Sequence, residues 1–456
     1  MHRPPFTPEQ RRLALALALL VTIIALETMS VAVILPVVER DLDQLALYGW
    51  VGSAFTLAQL VGIVVAGRWC DRASPVIPLQ VGMTCFVAGL LAGSIAPSMG
   101  VLVAARALQG LGAGMVPAVA YVCIGRAFDE ARRPRMFAVL ATAWIVPSLA
   151  GPALAPVVAD RFGWRWVFAG LIPFCVVGAL LAIRPVRLVG APAIVNERRS
   201  TGAGAAVTLA LGAAVTLAGL GAVSSWWGLP LVIGGIAVGA RPFLRLTPPG
   251  TLTARPGIAA ACAVKGLLTF SFFGADYFVA YGLVNVRATS TVFAGAVVAT
   301  GSFTWTAAAW TQERLVLRTG PRRLVIVGLG VIAAGYVVML ITLSDAVPIA
   351  VAFAGTALAG FGIGLSYSPL SQAVLLDSPP DSIGASTSAV QLCDTLGVSL
   401  GIGVSGVIVT ATDGLHNGAR VGVAIAWVMC IGVALASMVP ARGVHGANVS
   451  VRVPPA

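Results

Sequence analysis

Apolar residues run through this chain in long uniform blocks, and polar residues gather in the short gaps between them. The blocks occupy 13–38, 48–67, 76–97, 99–122, 136–159, 164–184, 203–223, 226–245, 258–283, 290–311, 324–343, 346–371, 384–411 and 418–439. Each is close to or above the ~20 residues a helix needs to cross a hydrocarbon core. The pattern predicts an all-α membrane protein with fourteen spans. The pair at 203–245 has the shortest connection, at Ser224-Ser225. The first block is too long for a signal peptide and many more spans follow it, so it is expected to stay in the mature chain.

The composition agrees. Of 456 residues, 58% are hydrophobic and 10% charged, with a mean hydropathy of +0.94. Soluble domains carry about 25% charged residues, so this chain has too few to cover a water-facing surface. The net charge of +12 suggests nucleic acid only until the basic residues are placed. With the N-terminus inside, 22 of the 29 basic residues fall in cytoplasmic segments, five fall outside and two lie within spans. Such a bias sets topology, and an even number of spans returns the C-terminus to the cytoplasm. The loop at 377–382, with Asp377 and Asp381, is the exception. Seven of ten Trp lie near span ends, as interfacial Trp does; Trp144, Trp305 and Trp427 lie deeper, where packing is the expected role.

The seven cysteines show no zinc spacing and read as small membrane hydrophobes. There is no phosphate loop, no His-Glu-x-x-His and no Gly-x-Ser-x-Gly elbow. An enzyme, a cofactor, a metal or ATP-driven pumping is therefore not expected, and a proton gradient is the natural energy source. His2, His416 and His445 all lie at or beyond span ends, which argues against a membrane histidine relay.

Short basic turns follow the second span of two six-span sets: Gly67 to Arg72, and Arg314 to Arg323. They suggest two halves, as transporters built from repeats have. The expected organisation is an N-terminal six-helix bundle at 1–184, a linker with two extra spans at 185–257, and a C-terminal six-helix bundle with a short tail at 258–456.

Several stretches carry motifs. They are Leu26-Glu27-Thr28 with Ala32, Leu35 and Pro36; Gly67-Arg68-Trp69-Cys70-Asp71-Arg72; Arg106-Ala107-Leu108-Gln109-Gly110-Leu111-Gly112 with Ala113-Gly114; Pro147 with Gly151-Pro152; and Gly163-Trp164-Arg165-Trp166-Val167-Phe168 with Pro173. In this order and spacing they resemble the major facilitator superfamily, and within it the fourteen-helix drug–proton antiporters. The resemblance implies that Arg106 is tied to proton transfer, that Gly67, Asp71 and Arg72 belong to the gating loop, and that Gly151 and Pro152 belong to the exporters' fifth helix. The chain departs from the pattern in having Glu27 where the family has Asp, Ser74-Pro75-Val76 in place of a Gly and two basic residues, and Pro147 in place of Gly.

The same residues carry physical meaning without the family. Gly110, Gly112 and Gly114 let membrane helices approach closely. Pro147, Pro152 and Pro156 each remove a backbone donor, and the freed carbonyls need partners in protein or a cavity.

Five ionisable residues stand deep in spans: Glu27, Arg106, Lys265, Asp276 and Asp394. A charge at mid-bilayer costs about 2.5–3.5 kcal/mol even on the lenient insertion scale, so function or interhelical pairing must account for them. At about 1.5 Å per residue, Glu27 lies about 15 Å and Arg106 about 10 Å from the outer ends of their spans, depths at which they can meet. A neighbouring cation favours an ionised carboxyl and burial a neutral one, so the expected roles are Glu27 as main proton carrier and Arg106 as its modulator. Lys265 and Asp276 share one face of one span, about 16 Å apart. Asp276 and Asp394, with Lys265 and Gln391 nearby, are candidates for cavity polar groups or a second protonation site; an internal salt bridge with Lys265 is the alternative.

The expected function is export of amphipathic or hydrophobic small molecules in exchange for protons, across the inner (plasma) membrane. The expected partners are the lipid bilayer, a small-molecule substrate and protons, with no nucleic acid, and a monomer suffices. Lipid or metabolite export and proton-symport uptake use the same fold. A non-transporting membrane sensor fits less well, since no loop is long enough for a signalling domain.

Overall fold

The computed structural model describes residues 6–129, 132–190, 202–378 and 383–444. These form helices α1 Pro8–Leu42, α2 Tyr48–Arg72, α3 Val76–Ser94, α4 Met99–Ala127, α5 Arg133–Thr142, α6 Ile145–Phe162, α7 Arg165–Ala169, α8 Ile172–Arg187, α9 Gly202–Gly221, α10 Gly228–Leu246, α11 Ile258–Asp276, α12 Val279–Tyr281, α13 Thr291–Thr319, α14 Pro321–Ile341, α15 Val351–Asp377, α16 Ile383–Ala411 and α17 Gly418–Ala441. No strand occurs among the described residues. Among the described residues, thirteen helical segments are long and apolar enough to span a membrane. The remaining expected span, 136–159, is divided between α5 and α6.

That division follows from Pro147. Its ring nitrogen cannot bond the carbonyl of Ala143, four residues earlier. The Thr22 hydroxyl donates to that carbonyl instead, at 3.1 Å. The expected span at 258–283 also divides. α11 stops at Asp276, a turn through Tyr277 and Phe278 leads into α12, and a wide π-turn over Gly282–Val286 completes the segment. Such wide turns concentrate at functional positions.

Helix α1 starts earlier than its apolar block because its first turn is capped. Thr7 and Gln10 exchange side-chain-to-backbone hydrogen bonds of 3.2 Å each, and Pro8 occupies the first helical position. This reciprocal pair satisfies two otherwise orphaned donors.

Backbone packing divides the chain into two compact units. One comprises 1–243, 277–299 and 402–423; the other comprises 244–276, 300–401 and 424–456. In the first, the glycines of α4 do what their spacing predicts. A Cβ on Gly110 would strike the Phe55 carbonyl, one on Gly114 the Gln59 carbonyl, and one on Gly112 the Gly82 carbonyl. α4 therefore lies in backbone contact with α2 on one side and α3 on the other. In the second unit, Gly360 and Gly364 bring α15 against α13 at Gly301 and Trp305, and Gly328 and Gly362 bring α14 against α15. Close backbone approach of this kind is how helices associate where lipid removes the hydrophobic driving force.

Candidate functional site

In the first unit α1 and α4 bring two of the intramembrane charges together. Arg106 Nη1 forms an ion pair with Glu27 Oε1 and donates to Gln109 Oε1 at 2.6 Å. Its Nε donates to the Val51 carbonyl at 3.3 Å, and its guanidinium lies 4.1 Å from the centroid of the Phe55 ring. Glu27, Arg106 and Gln109 are 1%, 3% and 0% exposed. Gly110 makes the arrangement possible: without its side chain, α2 approaches closely enough for Val51 and Phe55 to reach Arg106.

Two polar atoms of this group, Glu27 Oε2 and Gln109 Nε2, are buried with no hydrogen-bond partner among the described residues. The free oxygen gives Glu27 a place to take a proton without first leaving Arg106. Taking one would convert a neutral pair into a buried net positive charge, so protonation changes the energetics of everything packed around it.

Sequence reasoning passed over Tyr277. Its ring tip packs against Gly52, where a Cβ would stand 2.8 Å from Cζ. Gly52 follows Val51, the residue that accepts from Arg106. Tyr277 also meets Tyr48 at a ring distance of 6.0 Å, and Tyr48 packs on Phe278 and Tyr281 at 5.3 and 5.0 Å. Arg40 closes the same region by donating to Asn285 Oδ1 at 2.7 Å and to the Val284 carbonyl at 3.1 Å. The aromatic composition of 277–281 was the available signal; what it faces depends on the turn after Asp276.

In the second unit Lys265 forms no ion pair with a carboxylate among the described residues. Its ammonium sits 2.9 Å from the centroid of the Tyr367 ring and donates to the Tyr367 carbonyl at 3.0 Å. The Tyr367 hydroxyl donates to Asp394 Oδ2 at 2.8 Å, and Gln391 Nε2 donates to the same oxygen at 3.2 Å. Tyr367 thus links the two charges through a cation–π contact and a hydrogen bond. Asp394 Oδ1 is buried without a partner among the described residues. Asp276 ends α11 and joins none of the ion pairs found among the described residues.

The Gly67–Arg72 motif, expected as a loop, forms the last turns of α2 and is held from α4. Arg126 donates to the Cys70 carbonyl through Nη2 and to the Gly190 carbonyl through Nη1 at 3.2 Å. Arg72 is exposed, and the Asp71 side chain lies outside the described residues. A Cβ on Gly67 would meet nothing within 4 Å, so packing does not demand glycine there. Gly151 faces α1, where a Cβ would stand 3.0 Å from Met29 Cβ, and the Pro152 carbonyl is approached by Gly295. Trp164 Nε1 and Arg165 Nη1 both donate to Asp41 Oδ2, at 2.9 and 2.8 Å, tying the Gly163-Trp164-Arg165 turn to the end of α1. Trp427 is fully buried and donates to the Ala275 carbonyl at 3.0 Å.

Comparison with known proteins decides the family. The sequence profile of the Major Facilitator Superfamily matches residues 17–402. The chain belongs to that superfamily. As a transporter it is 25% identical over 403 residues to the multidrug resistance protein Stp of Mycobacterium tuberculosis, covering 85% of this chain and 74% of Stp. It is 23% identical over 408 residues to the multidrug transporter protein MdtP of Bacillus subtilis, covering 86% of this chain and 73% of MdtP. A shorter match, 30% identical over 170 residues, covers 37% of this chain but only 29% of the MFS-type transporter ppz2 of Metarhizium majus. Among solved structures, an inward-facing, unoccupied bacterial homologue of the human lysosomal transporter Spinster superposes with a TM-score of 0.67 at 15% identity, covering 96% of this chain and 98% of that one. An auto-inhibited POT-family peptide transporter gives 0.67 at 17% identity, covering 97% and 99%. At these identities the structural likeness concerns the fold alone.

Proposed function

We propose that this transporter exports amphipathic or hydrophobic small molecules across the inner (plasma) membrane in exchange for protons. Glu27 is the main proton carrier and Arg106 its modulator. The observation that carries this reading is the buried Glu27–Arg106 pair, in which one carboxylate oxygen is held by the guanidinium and the other has no partner among the described residues. An intramembrane carboxyl placed in this way is a functional group by default. The names of Stp and MdtP support a drug-type cargo. Asp394 and Asp276 serve as further polar or protonatable groups, with Lys265 and Gln391 beside Asp394. The working unit is a monomer with both termini in the cytoplasm, organised as halves at 1–184 and 258–456 around the insertion at 185–257.

The cycle follows from charge. With Glu27 ionised, the pair with Arg106 is neutral and compact. A proton on Glu27 leaves Arg106 without its counter-ion and favours a rearranged packing of α1 against α4. Exchange requires that cargo favour the arrangement with Glu27 ionised and the proton the other.

The test uses proteoliposomes with a trapped pH dye, an imposed pH gradient and a panel of lipophilic cations. The expected result is cargo-evoked proton movement that Glu27→Gln abolishes. Proton movement that survives Glu27→Gln would transfer the carrier role to Asp276 or Asp394. Absence of cargo-evoked proton movement in the unsubstituted protein, across the whole panel, would refute the exchange reading.

A further inference from the structure

Cys262 and Cys393 take no part in the coupling group described above. They lie on α11 and α16, two helices in backbone contact. A Cβ on Gly397 would strike the Gly266 carbonyl, one on Gly401 would strike the Phe270 carbonyl, and one on Gly266 would stand 3.1 Å from the Cys393 carbonyl. Thr269 Oγ1 donates across the same seam to the Asp394 carbonyl at 3.0 Å. The contacts advance by four residues on each helix together, so the helices are parallel and in register, one turn per contact. One turn before Gly266 and Gly397 stand Cys262 and Cys393. The register places Cys262 and Cys393 at the same level of this close seam, within electrostatic reach of each other. Both are free thiols, 0% and 4% exposed.

We propose that Cys262 and Cys393 form a two-coordinate site for a soft, thiophilic divalent cation of the mercury(II) type. Thiolate ligands select soft ions. A structural zinc site needs four ligands, and no group of three or more His, Cys, Asp or Glu able to hold a metal occurs among the described residues. Two ligands suit a linear S–metal–S unit. Metal–sulfur bonds of about 2.3 Å each would set the sulfurs about 4.6 Å apart. Charge points the same way. One divalent ion with two thiolates is neutral, so it needs no counter-ion in a membrane interior where an unpaired charge is costly. On binding, two S–H bonds break, two S–metal bonds form, and two protons leave to water, with no change of oxidation state. The bound ion would form a strong bridge between two spans.

The experiment uses full-length protein in detergent and mercury(II) chloride as the probe. In one variant the other five cysteines are replaced by alanine. The expected result is one ion bound per chain, two protons released per ion, and a sulfur-to-mercury absorption band in the near ultraviolet. Adding Cys262→Ser or Cys393→Ser should weaken binding by at least about a hundredfold, the loss expected when a two-point attachment becomes one-point. Two ions per chain, or single-serine variants that bind as tightly, would overturn the proposal. Should the five-alanine variant not remain monodisperse, the unsubstituted protein is compared with the Cys262→Ser/Cys393→Ser double variant. A difference of one ion supports the site, and a difference of none or two overturns it. These readouts are independent of transport.

Discussion

Removing either member of the Glu27–Arg106 pair perturbs the membrane interior in a calculable and unequal way. Arg106 has a carboxylate, the Gln109 amide oxygen, the Val51 carbonyl and the Phe55 face around it. Glu27→Ala strips the one counter-charge found among the described residues from a guanidinium that cannot deprotonate. Breaking a buried pair in this way costs about 3–5 kcal/mol. Arg106→Leu should cost less, because the stranded Glu27 can take a proton and become neutral. Glu27→Gln also removes the counter-charge but keeps an oxygen for Nη1, so its cost should fall below that of Glu27→Ala by about 1 kcal/mol, the worth of the retained hydrogen bond. The Glu27→Ala/Arg106→Leu double variant removes both charges and should be less destabilised than the sum of the singles, by about 1–3 kcal/mol. Reversible unfolding in mixed detergent–SDS micelles, followed by helical circular dichroism, measures all four. Strict additivity of the two singles, or Arg106→Leu costing more than Glu27→Ala, would refute the reasoning.

Three further expectations follow from the packing. Thr22→Val should leave the Ala143 carbonyl without its hydroxyl donor and cost about 1–3 kcal/mol, seen as faster hydrogen exchange across α5 and the start of α6; unchanged exchange would mean another group holds that carbonyl. Gly110→Ala, whose Cβ meets backbone at Phe55, should destabilise by about 1–3 kcal/mol or more, whereas Gly67→Ala, with nothing within 4 Å of its Cβ, should leave the unfolding midpoint unchanged; equal effects would contradict the packing. Tyr367→Phe removes the hydroxyl hydrogen bond to Asp394 but keeps the ring under Lys265. It should therefore cost about 1 kcal/mol, and Tyr367→Leu, which loses both, clearly more in the same assay.

Much of this protein follows from the sequence alone. The length of each apolar block decides that the chain crosses a membrane and nearly where, because the thickness of the hydrocarbon core sets helix length and no tertiary contact is needed for it. The proline and glycine positions announce where backbone groups are freed and where helices can touch. Glu27, Arg106, Lys265, Asp276 and Asp394 stand out because any ionisable residue in such a block is exceptional.

Which of those residues meet was decided by the tertiary structure. Depth in a span is legible from the count of residues, and it allowed Glu27 and Arg106 to meet. It does not tell which way a side chain points, because these spans are apolar on every face and carry little periodic signal of an inner side. The same limit hid Tyr367, an ordinary aromatic in its block, which stands beside Lys265 where a carboxylate was the natural guess and relays it to Asp394. It hid the Thr22 hydroxyl that meets the Ala143 carbonyl across 121 positions of chain, and the neighbourhood of Cys262 and Cys393 along a seam set by glycines on both helices. Each of these is a contact between distant segments, and its partner is chosen by helix rotation and register, which only the packed bundle determines.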